Sequence, residues 1–193
     1  PDKNKPNYPI PEWDGSQDIA GQTLFVHGEQ GFGDIFHFVR YLKLAKDRGA
    51  KTIIAVHKPL KEFVSRCPYI DIVVTPDIPI PNFDYHATLL DLPVIFKTTI
   101  DNIQNKPYFD ADKNLESQWK KKLEKDKKFK VGLCWQGRKK SRDNDSFADY
   151  QLKRRTLGIE KLNVLGDLNQ ISFYALQKDF KQQDQSFFIK DFG

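Results

Sequence analysis

His27-Gly28-Glu29-Gln30-Gly31-Phe32-Gly33-Asp34 is the stretch on which the fold turns. It follows a β-branched and aromatic run, Thr23-Leu24-Phe25-Val26, and leads directly into an amphipathic pattern. A glycine-rich turn between a strand and a helix is where α/β domains meet phosphates or substrates, because backbone N–H groups and the helix dipole converge there. Two common versions fail on spacing. A P-loop needs Lys and Ser or Thr after its last glycine, where Asp34 and Ile35 stand. The dinucleotide fingerprint needs Gly or Ala at position 36, and Phe36 is too large for that close helix–strand contact. What remains is a glycine corner ending in a carboxylate, which points away from nucleotide triphosphates and toward a positioned base.

Outward from this corner the pattern is that of an α/β fold. Apolar residues at Ile35, Phe38, Val39, Leu42 and Ala45 predict a helix over 34–48, with Gly49 as its C-terminal cap. Thr23 to His27 reads as a central parallel strand, apolar on both faces. Further strands are predicted at 51–57 and 71–74, with a short helix at 60–66 opened by Pro59. This β-α-β-α-β order implies right-handed crossovers and an open parallel sheet. Residues 1–20 hold four prolines and read as an extended arm packed by Tyr8 and Trp13. A proline-rich loop, 75–82, leads to Phe83-Asp84-Tyr85-His86, at another strand end. The polar stretch 105–114 is a predicted boundary. A charged helix over 115–128 and a strand over 129–135 then meet a second glycine corner, Trp135-Gln136-Gly137. A mobile polar loop is expected over 138–150, then a helix over 159–168 and strands at 171–176 and 187–189. The expected organisation is therefore a unit at 1–112 and a second, incomplete one at 113–193.

Composition narrows the class. The chain has 193 residues, 39% hydrophobic and 30% charged, without a run of transmembrane length. Cys67 and Cys134 lack metal-ligand spacing and read as reduced thiols, so a cytoplasmic protein is expected. The absence of methionine, even at position 1, suggests a chain cut from something longer. The net charge of +5 gathers after residue 119. Acidic residues Glu124, Asp126, Asp143 and Asp145 interrupt it, and no nucleic-acid motif accompanies it, so 119–128 reads as a solvated lysine-rich face and no nucleic acid is expected.

Several of these segments together carry a resemblance. His27 to Asp34 followed by Phe38-Val39-Arg40-Tyr41-Leu42 resembles the first corner of glycosyltransferase domains related to the lipopolysaccharide heptosyltransferases, of the kind often found after tetratricopeptide repeats in bacterial proteins. Phe83 to His86 with Leu89-Leu90-Asp91-Leu92-Pro93, Val131 to Gly137, Arg155-Thr156-Leu157 and Leu176-Gln177-Lys178 are similar to later stretches of the same domains, in the same order. The resemblance implies two facing Rossmann-like units, the GT-B arrangement, with the second unit truncated. It also implies an inverting, metal-independent transfer of a sugar from a nucleotide-diphosphate donor to a hydroxyl of a glycan or protein acceptor, with no cofactor.

The resemblance distributes the residues. Asp34 falls where such enzymes place their proposed catalytic carboxylate, the base for the acceptor hydroxyl. His27, Glu29, Gln30, Gly31, Gly33, Arg40 and His86 would line the acceptor side. Trp135, Gln136, Gly137, Arg155, Gln177 and Lys178 would hold the donor, with Arg155 forking onto a diphosphate. Each has a plainer reading. Asp34 is equally a helix cap, and Gly31-Phe32-Gly33 a tight turn needing positive φ. His27 and His86 read as half-buried strand-end histidines, Glu29 as an exposed loop acid, and Arg40 and Arg155 as surface cations. Trp135 is either a stacking platform or core, and no His, Asp or Cys spacing supports a metal. His37 and His57 carry no signal. A non-catalytic sugar- or peptide-binding fragment and a basic nucleic-acid-binding α/β protein stay open. An incomplete second sheet would leave an edge for self-association.

Overall fold

The computed structural model describes residues 8–28, 31–137, 150, 153–178 and 188–192. The expected loop at 138–150 therefore lies outside the described residues except for Tyr150, and so do Glu29 and Gln30. The fold is α/β, with two parallel sheets. Contacts group the chain into two compact units, Pro1–Asp112 and Lys113–Gly193.

The first unit runs β1 (Thr23–His27), α1 (Phe32–Phe38), α2 (Tyr41–Asp47), β2 (Lys51–Ala55), a 3₁₀ turn at Lys58–Leu60, α3 (Lys61–Val64), β3 (Ile72–Val74), β4 (Tyr85–Thr88) and α4 (Leu92–Ile95). Its sheet has the order β3-β2-β1-β4, every pair parallel. β1 is the central strand that its apolar run predicts: Leu24, Phe25 and Val26 are each 0% exposed. On one face, Leu24, Val26 and Ile54 pack with Ile35, Val39, Leu42 and Ala45 of the helices and with Trp13. On the other, Phe25, Ile53 and Val74 are covered by Tyr8, Ile78 and Phe83, which belong to the arm and the proline-rich loop. The expected extended arm is described from Tyr8 onward, where Glu12 bridges to His86 in parallel. Trp13 N–H donates to His86 O at 2.8 Å and Pro11 O accepts from His86 N–H at 3.2 Å, so the arm lines the outer edge of β4.

The single helix expected over 34–48 is two helices. Arg40 is the physical reason: its Nε donates to His37 O at 3.1 Å. That carbonyl would take the Tyr41 N–H in an unbroken helix, and a side chain inserted into the ladder breaks it. Gly49 ends the pair with φ +83°, in the left-handed region that favours glycine.

The second unit comprises α5 (Lys113–Leu123), β5 (Phe129–Leu133), a 3₁₀ stretch at Ile159–Leu165, β6 (Ile171–Ala175) and β7 (Ile189–Lys190). Its sheet has the order β5-β6-β7, also parallel. Phe173, Tyr174 and Ile189 are buried, whereas Phe129 on β5 is 72% exposed. Two expected helices are shorter. α5 stops at Leu123, and the segment expected to be helical over 159–168 is 3₁₀ and ends at Leu165. Asn163, Gly166, Asp167 and Asn169 are poor helix formers, which accounts for the second case. No helix among the described residues is long and apolar enough to cross a membrane.

Asp71 secures β2, β3 and α2 together. Its carboxylate accepts from Thr52 N–H at 2.8 Å and from Lys46 Nζ at 2.6 and 2.8 Å. Burial pushes its pKa up, but the Lys46 ammonium and the Thr52 donors outweigh that and hold it below the usual carboxylate value. Asp71→Ala is expected to cost about 1–3 kcal/mol in chemical denaturation at neutral pH. The carboxylate stabilises only when ionised, so its contribution is lost as pH falls through the lowered folded pKa, and the gap between variant and wild type narrows in acid.

Candidate functional site

Parallel pairing places the carboxyl ends of β1 to β4 along one border of the sheet. The strand order reverses between β1 and β4, because β2 and β3 lie to one side of β1 and β4 to the other. Open α/β sheets hold ligands at such a reversal. Gly28 to Asp34 leave β1 at this point.

The three glycines of the corner differ in kind. Gly28 donates N–H to Ala55 O at 3.2 Å, and a Cβ there would collide with Ile35 Cδ1, so packing excludes a larger residue unless Ile35 moves. Gly31 has φ −74°, and neither Gly31 nor Gly33 has positive φ, which corrects the tight-turn expectation. A Cβ on Gly31 would come no closer than 3.8 Å to Asp34 Oδ2, and one on Gly33 would meet nothing within 4 Å. The fold itself requires glycine at neither position. Both are exposed, and their bare backbone is open to close approach from outside.

Asp34 is half-buried in the first turn of α1. Its Oδ2 accepts from Gly31 N–H at 3.0 Å while Asp34 N–H donates to Gly31 O at 3.1 Å, a reciprocal cap. The capping reading is thus realised in the geometry. Oδ1 has no hydrogen bond among the described residues.

His27 and His86 do come together, with ring centroids 6.1 Å apart, and each is 5% exposed. Tyr8 packs on His86 at 5.0 Å and on Phe25 at 5.6 Å. They share the face of Phe25, opposite the one that α1 and α2 cover. The structure therefore buries this pair more deeply than the half-buried expectation. Arg40 is no solvated cation. Its Nη1 donates to Gln104 O at 2.8 Å and its guanidinium lies 4.0 Å from the Tyr108 ring centroid. Tyr108 in turn donates to Phe36 O at 2.8 Å, so Arg40 and Tyr108 hold the 104–108 segment against the α1–α2 break.

A cleft of 240 Å³ opens at the ends of β1, β2 and β3, walled by Gly28, Ile35, Val56, Val74, Ile78 and His57. His57 is a residue the sequence reading passed over. The available signal was positional: it lies two residues past the end of β2, and its ring meets Phe32 of the corner at 5.3 Å.

The second unit has its own pocket at the end of β5, 320 Å³, which brings Trp135 and Arg155 together with Arg154, Thr156 and Cys134. Gln177 Oε1 accepts from Gln136 N–H at 2.9 Å and from Trp135 N–H at 3.3 Å, so one side-chain oxygen sits where two backbone donors converge. Leu157 N–H donates to Trp135 O at 2.8 Å and closes the pocket wall. Thr156 Oγ1 is buried with no hydrogen-bond partner among the described residues. Gln136, Gly137, Gln177 and Lys178 do not line this pocket. Arg154 and Thr156 were missed, although the run Lys153-Arg154-Arg155 was visible. Among the described residues no three His, Cys, Asp or Glu side chains are grouped to hold a metal.

No protein-family model matches the chain, and no curated protein and no solved structure matches it significantly.

Arg40→Ala is expected to loosen the 104–108 segment, seen as faster amide hydrogen exchange there and at Phe36 to Tyr41. Arg40→Lys restores little, because an ammonium supplies neither the fork to two carbonyls nor the planar stack on Tyr108.

Proposed function

We propose that the chain is the acceptor-side unit and part of the donor-side unit of an inverting, metal-independent GT-B glycosyltransferase. It would move a sugar from a nucleotide-diphosphate donor to a hydroxyl of a glycan or protein acceptor. The single observation that carries this reading is the corner at the strand-order reversal: exposed backbone at Gly31 and Gly33 that the fold does not need bare, next to a carboxylate. The motif resemblance along both units supports it, and so does the pocket at the end of β5. There Arg154, Arg155 and the Thr156 hydroxyl offer donors to a diphosphate and Trp135 offers a ring face to a base.

In this reading the acceptor hydroxyl approaches over Gly31 and Gly33, and Asp34 Oδ1 takes its proton as the oxygen attacks the anomeric carbon. The leaving diphosphate oxygen gains negative charge, which the arginines of the second unit stabilise. The Gly31 N–H on Oδ2 fixes the carboxylate's orientation.

That bond also favours a second reading, a ligand-binding corner in which Asp34 only caps α1. Two substitutions separate them. Asp34→Asn keeps an oxygen for Gly31 N–H and removes the base; Asp34→Ala removes both. Catalysis predicts that Asp34→Asn abolishes nucleotide-diphosphate release across a panel of sugar nucleotides, with the melting temperature nearly unchanged. If Asp34→Asn is as active as wild type and only Asp34→Ala is impaired, through lost stability of about 0.5–2 kcal/mol, the carboxylate is a cap.

A further inference from the structure

Along β6 and β7, between the 122–128 segment and Phe192, lies a separate cavity of 620 Å³. Its floor is a polar network. Asp126 Oδ2 accepts from Tyr174 Oη and Lys190 Nζ, each at 2.5 Å, and Asp126 Oδ1 accepts from Lys128 N–H at 3.0 Å. Lys190 Nζ also contacts Ser172 Oγ at 3.3 Å. Ser172 and Tyr174 are buried, and the Asp126 side chain is 10% exposed. Lys190, and then the Ser172 and Tyr174 hydroxyls, hold the Asp126 carboxyl well below the usual range, so it stays ionised and its charge is matched by Lys190.

The mouth is different. Lys122, Lys125 and Lys128 line the same cavity, and no carboxylate among the described residues pairs with any of their ammonium groups. Lys122 rests against aromatic rings, 4.5 Å from the Trp119 centroid and 6.0 Å from that of Phe192. The Tyr174 and Phe192 rings are stacked at 5.5 Å and give the cavity a rigid wall. Three lysines thus line a concave space in which, among the described residues, the Asp126 carboxylate has both oxygens bonded. A cleft focuses such charge and draws in an anion. The lysines of 119–128 are all exposed, as a solvated face requires, but they differ in place: Lys122, Lys125 and Lys128 line the cavity, and Lys120, Lys121 and Lys127 do not.

We propose that this cavity is a binding site for a phosphate-bearing ligand, gripped by Lys122, Lys125 and Lys128 over the Asp126–Lys190–Tyr174 floor. It shares no lining residue with the pocket at the end of β5 and does not depend on the glycosyltransferase reading. The phosphate belongs either to a soluble molecule or to a lipid headgroup.

The test is calorimetric titration of the protein with pyrophosphate at low salt. The expected result is saturable binding that Lys122→Gln/Lys125→Gln/Lys128→Gln weakens at least about tenfold. Lys120→Gln/Lys121→Gln/Lys127→Gln removes the same charge and should weaken it less than about twofold, because diffuse attraction is screened within a Debye length. No binding, or equal losses in the two lysine variants, overturns the proposal. Loss in Arg154→Gln/Arg155→Gln but not in the first lysine variant also overturns it and leaves the donor pocket standing. Vesicles of phosphatidylcholine with phosphatidic acid identify the source. Retention that pyrophosphate displaces assigns the site to a lipid headgroup, and pyrophosphate binding without retention assigns it to a soluble phosphate.

Discussion

The first unit depends on one constraint: β1 is buried on both faces and paired on both edges. Leu24, Phe25 and Val26 lose all contact with solvent, each contributing roughly 1.5–3 kcal/mol as a fully buried apolar side chain. Its neighbours β2 and β4 run parallel to it, and parallel neighbours need crossovers, so helices and loops cover the faces. The direction of β1 therefore fixes where every strand ends. Because β2 and β3 fill one side and β4 the other, the chain leaves β1 at the reversal of strand order. The position of Gly28 to Asp34 follows from sheet topology before any side-chain chemistry is considered.

That constraint explains how legible the sequence was. The apolar run at Thr23 to Val26 marked the central strand, and the stripe of Ile35, Val39 and Leu42 marked the helical cover, since burial imposes periods of 2 and 3.6 that composition alone cannot hide. The prolines and Trp13 marked the arm. Long-range hydrogen bonds left no such trace. Arg40 reaches Gln104 across 64 residues, and its insertion at His37 O divides a helix that periodicity draws as one. Nothing local distinguishes that arginine from a solvated one.

The candidate site was legible in position and less so in detail. The glycine corner and the second corner at Trp135 were recognisable because both end a strand. What could not be read was which glycines the fold needs. Gly28 is held by Ile35, a contact set by helix packing, while Gly31 and Gly33 are free of backbone or steric demand. Burial of His27 and His86 beneath Tyr8 is likewise a product of the arm folding across the sheet. The Asp126, Tyr174 and Lys190 floor escaped notice for the same reason: its members come from three segments that only the second sheet brings together.

The central claim is that the bare backbone at the corner serves a ligand and not the fold, and Gly33→Ala tests it most directly. Gly33 lies in a helix with helical φ and open space for a methyl group, so alanine should stabilise the protein by about 0.5–1 kcal/mol. Thermal denaturation and sugar-nucleotide turnover of the same variant are the measurement. The account predicts an equal or higher melting temperature together with loss of turnover. A more stable variant that turns over as wild type does would contradict it, and the corner would then be a helix start and nothing more.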